Sequence, residues 1–217
     1  MAGTDPHPGD SHTPAERPGL RVIGIGGVPA SGKSTLMRRV IRRLGMGLPT
    51  CARVLLPSGK GRCPLPYTAF RCGKLLVMGS YEPGEPYPGT DRLSMAAPAA
   101  LPVFLERCEK HAREGIGSTW LLYEGQRFFS ASLVERIARS YPGSRFIVLE
   151  APEAIRSARM AGRGDTKGER FLKACQTQVA NAAKAALDAG AEVSRLRHES
   201  HSDLEGATEL ILGWLGS

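Results

Sequence analysis

A short glycine-rich segment constrains the fold of this chain more than any other feature. Residues 27–34 read GVPASGKS and match the pattern G-x-x-x-x-G-K-[ST] at every fixed position, with Thr35 following. An apolar run at residues 20–25 precedes the segment, and apolar residues at positions 36, 37, 40, 41 and 44 follow it with helical spacing. This strand–loop–helix context is the one in which such loops bind nucleotides, so we predict a nucleoside triphosphate site.

The residue types in this loop suit phosphate binding. Glycine lets the backbone turn so that successive N–H groups point at phosphate oxygens, and the N-terminus of the following helix adds partial positive charge. Lys33 can bridge the β and γ phosphates of ATP, and the Ser34 hydroxyl can bind Mg²⁺. The residues that we assign to nucleotide binding are Gly27, Val28, Pro29, Ala30, Ser31, Gly32, Lys33, Ser34, Thr35 and Arg156.

Strand-like and helix-like segments alternate along the rest of the chain. Strands are predicted at about residues 119–123, 145–149 and 192–196, with helices between them, and capping boxes at Ser132 with Glu135 and at Ser202 with Glu205. Three short β-like runs between residues 50 and 90, separated by Gly and Pro, indicate a small β-hairpin insertion. The alternation predicts a three-layer αβα domain of the P-loop kinase-like type with a mostly parallel sheet.

Composition bounds the organisation of the chain and its partners. The 217 residues include 29 Lys and Arg against 21 Asp and Glu, and the net charge of +8 favours polyanionic partners such as nucleic acid or nucleotides. Residues 1–19 are rich in proline and are predicted to be a disordered leader before a domain at 20–217. The chain lacks an apolar run of the roughly 18 residues that a membrane helix needs, and an apolar signal segment.

The cysteines do not form a recognisable framework. The five of them lie at unrelated spacings without a C-x-x-C pair, which favours reduced thiols in the cytoplasm over disulfides or a zinc site.

Two acidic positions are candidates for the remaining chemistry. Glu124 ends an apolar strand, as a Walker-B carboxylate does, and is predicted to hold Mg²⁺ or to accept a proton. Asp91 beside Arg92 at a helix entry suits a general base next to an acceptor hydroxyl and a guanidinium on a phosphate. The alternatives are an exposed acid at a strand end for Glu124 and an ordinary helix start for Asp91.

Basic residues form two further patterns. Arg156, Arg159 and Arg163 are spaced by three and four residues before a glycine-rich break, which predicts a lid at 156–168 that closes over ATP and neutralises transferring charge; the alternative is a solvated basic face. A solvated face is also the favoured interpretation of the arginines at positions 38, 39, 42 and 43, over a track for DNA. The long helix after the lid carries a weak polar stripe at Lys173, Thr177, Asn181 and Lys184.

These segments together resemble a family. Residues 27–35, the 81–94 segment that ends GTDRLS, YEGQR at 123–127, FIVLE at 146–150 with the arginine lid, and the helix with Thr177 and Asn181 are similar to bacteriophage P-loop kinases that phosphorylate 5-hydroxymethyluracil in DNA. The resemblance spans about residues 20–190. An acidic residue often follows the Glu-Gly pair in that family, whereas this chain has Gln126.

The resemblance implies a substrate and a setting. The enzyme would transfer the γ-phosphate of ATP, with Mg²⁺, to the hydroxymethyl group of the base during DNA hypermodification in the cytoplasm of the infected bacterial host. The catalytic residues would be Lys33, Asp91, Arg92, Glu124, Arg159 and Arg163, with Ser34 and Glu124 at the metal. The rivals are a nucleoside, nucleotide or other small-molecule P-loop kinase, and a non-kinase NTPase that changes partners on hydrolysis. A plain nucleic-acid-binding module is disfavoured because no helix-turn-helix, zinc or aromatic pattern stands out.

Overall fold

The described strands form one β-sheet. The computed structural model describes residues 19–45, 53–56, 65–70, 74–79, 81, 89–90, 93, 97–116 and 119–216. Within these residues, seven strands lie in the order β2-β3-β4-β5-β1-β6-β7. The strands are β1 (Leu20–Gly26), β2 (Arg53–Leu56), β3 (Leu65–Phe70), β4 (Leu75–Met78), β5 (Thr119–Glu124), β6 (Arg145–Glu150) and β7 (Glu192–Arg197).

Helices connect the parallel strands. They are α1 (Lys33–Gly45), α2 (Ala97–His111), α3 (Ala131–Ser140), α4 (Glu153–Ala161), α5 (Glu169–Asp188) and α6 (His201–Gly216). A π-helical turn, Ala112–Ile116, continues α2, and a 3₁₀ turn, Gln126–Phe128, follows β5. Neighbouring pairs from β4 to β7 are all parallel.

A hydrophobic core lies on each face of the sheet. Successive side chains of a strand point to opposite faces, so Val22 joins the core under α2, α3 and α5, whereas Ile23 and Ile25 join the core under α1 and α6. Leu36 and Ile211 are fully buried on the second face, as Leu101 is on the first. The predicted three-layer α/β architecture is therefore confirmed.

The predicted hairpin lies at one edge of this sheet. β2 pairs antiparallel with β3, and β3 pairs antiparallel with β4. Since β4 also pairs parallel with β5, the third β-like run belongs to the main sheet, and β2 and β3 extend it. Residues 1–18 lie outside the described residues, so the leader and the domain limits stay predictions, as does the lid.

Both predicted capping boxes are wrong in register. Helix α3 begins at Ala131 with Ser130 as its N-cap residue, and Glu135 pairs with Arg139 one turn later. At α6, Asp203 Oδ2 accepts hydrogen bonds of 2.8 Å from the backbone N–H groups of Glu199 and Ser200. In both cases a second serine, Ser130 or Ser200, lies two residues before the predicted N-cap serine. Spacing alone did not show which of the two would begin the helix.

Two of the four arginines on α1 join that helix to α6. Arg39 donates to the His201 carbonyl and to Glu205, and Arg43 pairs with Glu205 and Glu209. These pairs are at least a quarter exposed, so each stabilises the packing only modestly. Part of the basic face of α1 therefore forms salt bridges with α6.

Two findings concern membrane-spanning helices and the state of the cysteines. No helix among the described residues is long and apolar enough to cross a membrane. Cys108 and Cys175 are buried free thiols, and burial raises the pKa of Cys108 to about 12. The other three cysteines lie outside the described residues.

Candidate functional site

A cleft of about 480 Å³ opens over the glycine-rich loop at the carboxyl ends of the parallel strands. Three segments meet there: the loop after β1, the turn after β5, and the connection from α4 to α5. The residues that line the cleft are Pro29, Ala30, Gly32, Lys33, Ser34, Thr35, Gln126, Arg127, Arg163, Asp165, Lys167 and Phe171. The chain thus brings together the phosphate-loop motif, part of the segment predicted to be a lid, and the Glu-Gly-Gln-Arg segment.

The backbone of the glycine-rich loop has positive φ values and close contacts that few residue types tolerate. Gly32 has a φ of +103°, and Ala30 has a φ of 61°, the one positive value at a non-glycine residue in the described part of the chain. Non-glycine residues in this region cost free energy and concentrate at functional sites. A Cβ atom on Gly27 would lie 2.5 Å from the Leu149 carbonyl oxygen, so the motif glycines are required here.

The loop and the end of β5 join through one hydrogen bond. Ser34 Oγ donates to Glu124 Oε1 at 3.0 Å, and Glu124 is completely buried. Glu124 stands in register with Ile25 of β1, so its carboxylate faces the loop as the strands end. Lys33 is 9% exposed, and its Nζ donates to the Val28 carbonyl at 3.1 Å. The two predicted metal-binding residues are therefore in direct contact.

A tight turn covers the Glu124 carboxylate. A Cβ atom on Gly89 would lie 2.3 Å from Glu124 Oε1, and Thr90 Oγ1 donates to the Glu124 carbonyl at 2.8 Å. Arg127 holds this turn because its guanidinium donates to the carbonyls of Thr90 and Leu93, each at 3.1 Å. Arg127 was not among the predicted site residues, although it belongs to the motif that carried the resemblance.

The proposed general base cannot be placed. Asp91 and Arg92 lie outside the described residues. The carbonyls of their described neighbours Thr90 and Leu93 both accept from Arg127, in the turn after β5.

Gln126 is fixed by a second glutamine. Its Nε2 donates to Gln178 Oε1 at 2.5 Å, and Gln178 Nε2 donates to the backbone carbonyls of Gln126 and Phe129. Gln178 lies on α5, so this helix is joined to the turn after β5. No sequence pattern predicts this pair, because the two residues are 52 positions apart.

The three arginines of the predicted lid have different surroundings. Arg156 is 6% exposed, donates through Nε to the Ala151 carbonyl, and lines a separate cavity of about 300 Å³ that Gly27 and Val28 also border. Arg159 Nη1 donates to the Ala30 carbonyl at 3.2 Å. Arg163 is exposed and lines the cleft. Arg156 therefore lines a different cavity from the cleft that Lys33 lines.

His198 packs against the backbone of the glycine-rich loop. Its Nδ1 lies 2.7 Å from the Ser31 carbonyl oxygen and so donates to it, and a Cβ atom on Gly32 would lie 2.1 Å from the same nitrogen. The Arg159 guanidinium contacts both ring nitrogens at 3.3 Å. His198 is 6% exposed. The histidine carries no motif in the sequence, and only the fold brings it to the loop.

The protonation of His198 gives a pH-dependent stability. Burial, and then the Arg159 charge, lower the pKa of His198 below 6.5, against the opposing effects of the hydrogen bond to Ser31 and of Asp203. Below about pH 6.5 the unfolded chain takes up a proton that the folded chain resists, so stability falls as the pH falls. We expect the midpoint of thermal unfolding to decrease less between pH 7.5 and 5.5 in His198→Gln than in the native chain. An unchanged slope in His198→Gln would contradict the assignment.

The polar stripe of α5 lies outside the cleft. Lys173 pairs with Glu169, Lys184 pairs with Asp188, and Thr177 Oγ1 donates to the Lys173 carbonyl. Asn181 is also exposed. The residues of α5 that face the site are others, namely Phe171 at the cleft and Gln178 against Gln126.

The fold and the cleft define a three-layer α/β protein with a phosphate-loop motif at the carboxyl edge of its sheet. No protein-family model matches the chain, and no curated protein matches its sequence. Among solved structures, it is similar to an unliganded sugar kinase from Janibacter sp. HTCC2649, with 17% identity and a TM-score of 0.41 over 91% of this chain and 95% of the other. Likeness at this level identifies neither a family nor a substrate.

Proposed function

We propose that the protein is a kinase that transfers the γ-phosphate of ATP to an alcohol group. The observation that carries this proposal is the contact between Ser34 and Glu124 beside Lys33. A phosphate loop with an adjacent strand-end carboxylate is the arrangement in which ATP and Mg²⁺ are held for phosphoryl transfer. Arg163 lines the same cleft and adds positive charge that can stabilise developing negative charge on the phosphoryl oxygens, and Lys167, which pairs with Asp165, lies beside it.

The residues present fit a magnesium ion. Mg²⁺ prefers oxygen ligands and keeps several waters and phosphate oxygens, so one or two protein ligands suffice. The Ser34 hydroxyl and the Glu124 carboxylate supply such oxygens 3.0 Å apart. Bound there, Mg²⁺ would neutralise charge on the phosphates. The buried position of Glu124 against Ser34 and Gly89 favours a role at the metal, and Asp91 is the proposed proton acceptor.

The proposed reaction balances with one proton transfer. The acceptor hydroxyl oxygen forms a bond to the γ-phosphorus, and the bond from that phosphorus to the β,γ-bridging oxygen breaks, which leaves ADP. The hydroxyl proton goes to a carboxylate, for which Asp91 is the candidate and Glu124 the alternative. Lys33 holds the phosphates, and Arg159 and Arg163 belong to the segment that approaches them.

We propose 5-hydroxymethyluracil in DNA as the acceptor. The resemblance in the Gly-Thr-Asp-Arg-Leu-Ser and Glu-Gly-Gln-Arg segments supports this choice, as does the net charge of +8, which suits a polyanionic partner. The hydroxymethyl group occupies the position of the thymine methyl in the major groove. An in-line reaction in a closed cleft requires that the base be flipped or locally unpaired. The rival acceptor is a free nucleoside, nucleotide or other small alcohol.

Transfer of labelled phosphate tests the proposal. With γ-labelled ATP and Mg²⁺, we expect label on duplex DNA that contains 5-hydroxymethyluracil and none on thymine DNA. Lys33→Ala should reduce this transfer by about 10²–10³-fold, because the side chain that neutralises the phosphates is lost, whereas Lys173→Ala on the exposed face of α5 should be unchanged. Label on the free hydroxymethyl nucleoside or nucleotide alone would support the small-molecule rival. Free phosphate with no labelled acceptor would favour the non-kinase NTPase.

A further inference from the structure

We propose that Phe171 and Gln126 form a base-binding subsite in the cleft, in which the ring of Phe171 stacks on the acceptor base and the Gln126 amide pairs with its edge. This inference rests on the proposed function, because it concerns the acceptor of that reaction. It adds two residues to the site that neither the phosphate-loop motif nor the arginine lid contains.

The exposure of Phe171 is the first observation. Phe171 is 45% exposed, and the other large hydrophobic side chain that is exposed among the described residues is Leu187. Phe171 lies in the first turn of α5 and lines the same cleft as Lys33 and Ser34. An aromatic ring in a polar, cationic cleft has no core to join, whereas aromatic rings bind nucleobases by stacking on them.

The charge beside the ring supports a polyanionic ligand. Lys167 Nζ lies 5.9 Å from the centre of the Phe171 ring and pairs with Asp165 at 2.9 Å, and the exposed Arg163 lines the same cleft. A nucleotide within DNA presents a flat base next to phosphates. The Phe171 ring can stack on the base, and the basic side chains of Arg163 and Lys167 can contact the phosphates. A small aliphatic alcohol has no flat face that could stack on Phe171.

The fixed amide of Gln126 is the second observation. Gln178 lies seven residues after Phe171, so both side chains fall on one face of α5. Gln178 accepts from Gln126 Nε2 at 2.5 Å, and this bond uses one of the two amide hydrogens. The second hydrogen and the amide oxygen then suit the edge of a uracil ring, where carbonyl oxygens flank an N–H group.

The position of Gln126 favours the acceptor base over the base of ATP. Gln126 is two residues beyond Glu124, whose carboxylate contacts Ser34. The reacting hydroxymethyl carbon is attached directly to the acceptor base, so that base must lie beside the γ-phosphate. The base of ATP is separated from the γ-phosphate by a ribose and two further phosphates. A ring held next to Gln126 is therefore the acceptor.

A fluorescent variant tests stacking without relying on activity. In Phe171→Trp, we expect duplex DNA with one 5-hydroxymethyluracil to quench the new emission, and the same duplex with an abasic site there to quench it much less. The native Trp120 and Trp214 are buried. Their emission is measured in the native chain with the same DNA and subtracted. Quenching by Mg-ATP but not by the DNA would overturn the proposal, since the ring would then meet the donor base. Equal quenching by the two duplexes, or quenching by neither ligand, would overturn it as well.

Kinetics supply the second measurement. Phe171→Ala should raise KM for the hydroxymethyluracil DNA by about tenfold, because stacking on one base is lost, and leave KM for ATP within about twofold. Phe171→Tyr should retain native KM, and Leu187→Ala, at the far end of the same helix, is the matched control. An unchanged KM for DNA in Phe171→Ala would contradict the subsite. If the native chain transfers no phosphate to any hydroxymethyluracil substrate, the proposed function fails, and the quenching measurement still decides whether Phe171 meets a base.

Discussion

Glu124→Gln is expected to reduce phosphoryl transfer by about 10²–10³-fold with the fold intact. Glutamine keeps the size of the side chain and an oxygen that can accept from Ser34 Oγ, so the loss measures the missing negative charge. The measurements are the initial rate with the labelled acceptor, at several Mg²⁺ concentrations, and thermal unfolding. If Glu124 acts through the metal, higher Mg²⁺ or Mn²⁺ concentrations should partly restore the rate. If it accepts the proton, the rate should lose its acidic pH limb and metal should not restore it.

The chain offers a matched control for this substitution. Glu150 ends β6 as Glu124 ends β5, and the two strands flank β1. Glu150 is exposed and pairs with Arg195, so Glu150→Gln should change the rate by less than about twofold, as expected for an exposed pair. Native activity in Glu124→Gln, or an equal loss in Glu150→Gln, would contradict the assignment.

Gly32→Ala is expected to abolish nucleotide binding and to lower the free energy of unfolding by about 1–3 kcal/mol. Gly32 has a φ of +103°, and its Cβ would lie 2.1 Å from His198 Nδ1. Either the histidine or the loop must therefore move, and a moved loop no longer points its N–H groups at phosphate. Binding is measured by titration with Mg-ATP and stability by denaturant unfolding.

Two further variants separate the causes. Gly164 has a φ of +65° and no atom within 4 Å of an added Cβ, so Gly164→Ala reports the cost of the backbone conformation alone. His198→Gly removes the ring that the new methyl group meets. We expect the double variant Gly32→Ala, His198→Gly to be less destabilised than the sum of the two single changes. Strict additivity would mean that the ring and the loop do not interact.

The sequence predicted the parts of the fold that depend on local pattern. The burial of β1 and the apolar face of α1 follow from residues within about twenty positions, so the strand, the loop and the helix were predicted together. The helix caps were displaced by two residues because Ser130 and Ser132, like Ser200 and Ser202, have equal intrinsic preference for an N-cap. Which serine is used depends on where packing of the helix begins.

The site was predictable only where it lies within one motif. Ser34 and Glu124 were each assigned to the metal from their own segments, and their contact follows from the parallel pairing of β1 with β5. His198 and Gln178 had no such signal, since they act through contacts with residues 167 and 52 positions away. The buried setting of Arg156, whose Nε donates to the Ala151 carbonyl, was not evident from its spacing to Arg159 and Arg163. Its contact with nucleotide stays a prediction.

The contact between His198 and the loop has a consequence for the order in which the protein matures on the ribosome. Synthesis proceeds from the N-terminus at about 5–20 residues per second, so residues 27–34 emerge early, whereas His198 follows Ser31 by 167 positions. Until β7 and His198 have left the exit tunnel, the loop lacks its supporting ring, and the salt bridges that join α1 to α6 form later still. We therefore expect ATP to stabilise the chain through this loop only after His198 has reached it. Nucleotide binding would then mark a chain in which β7 is already in the sheet.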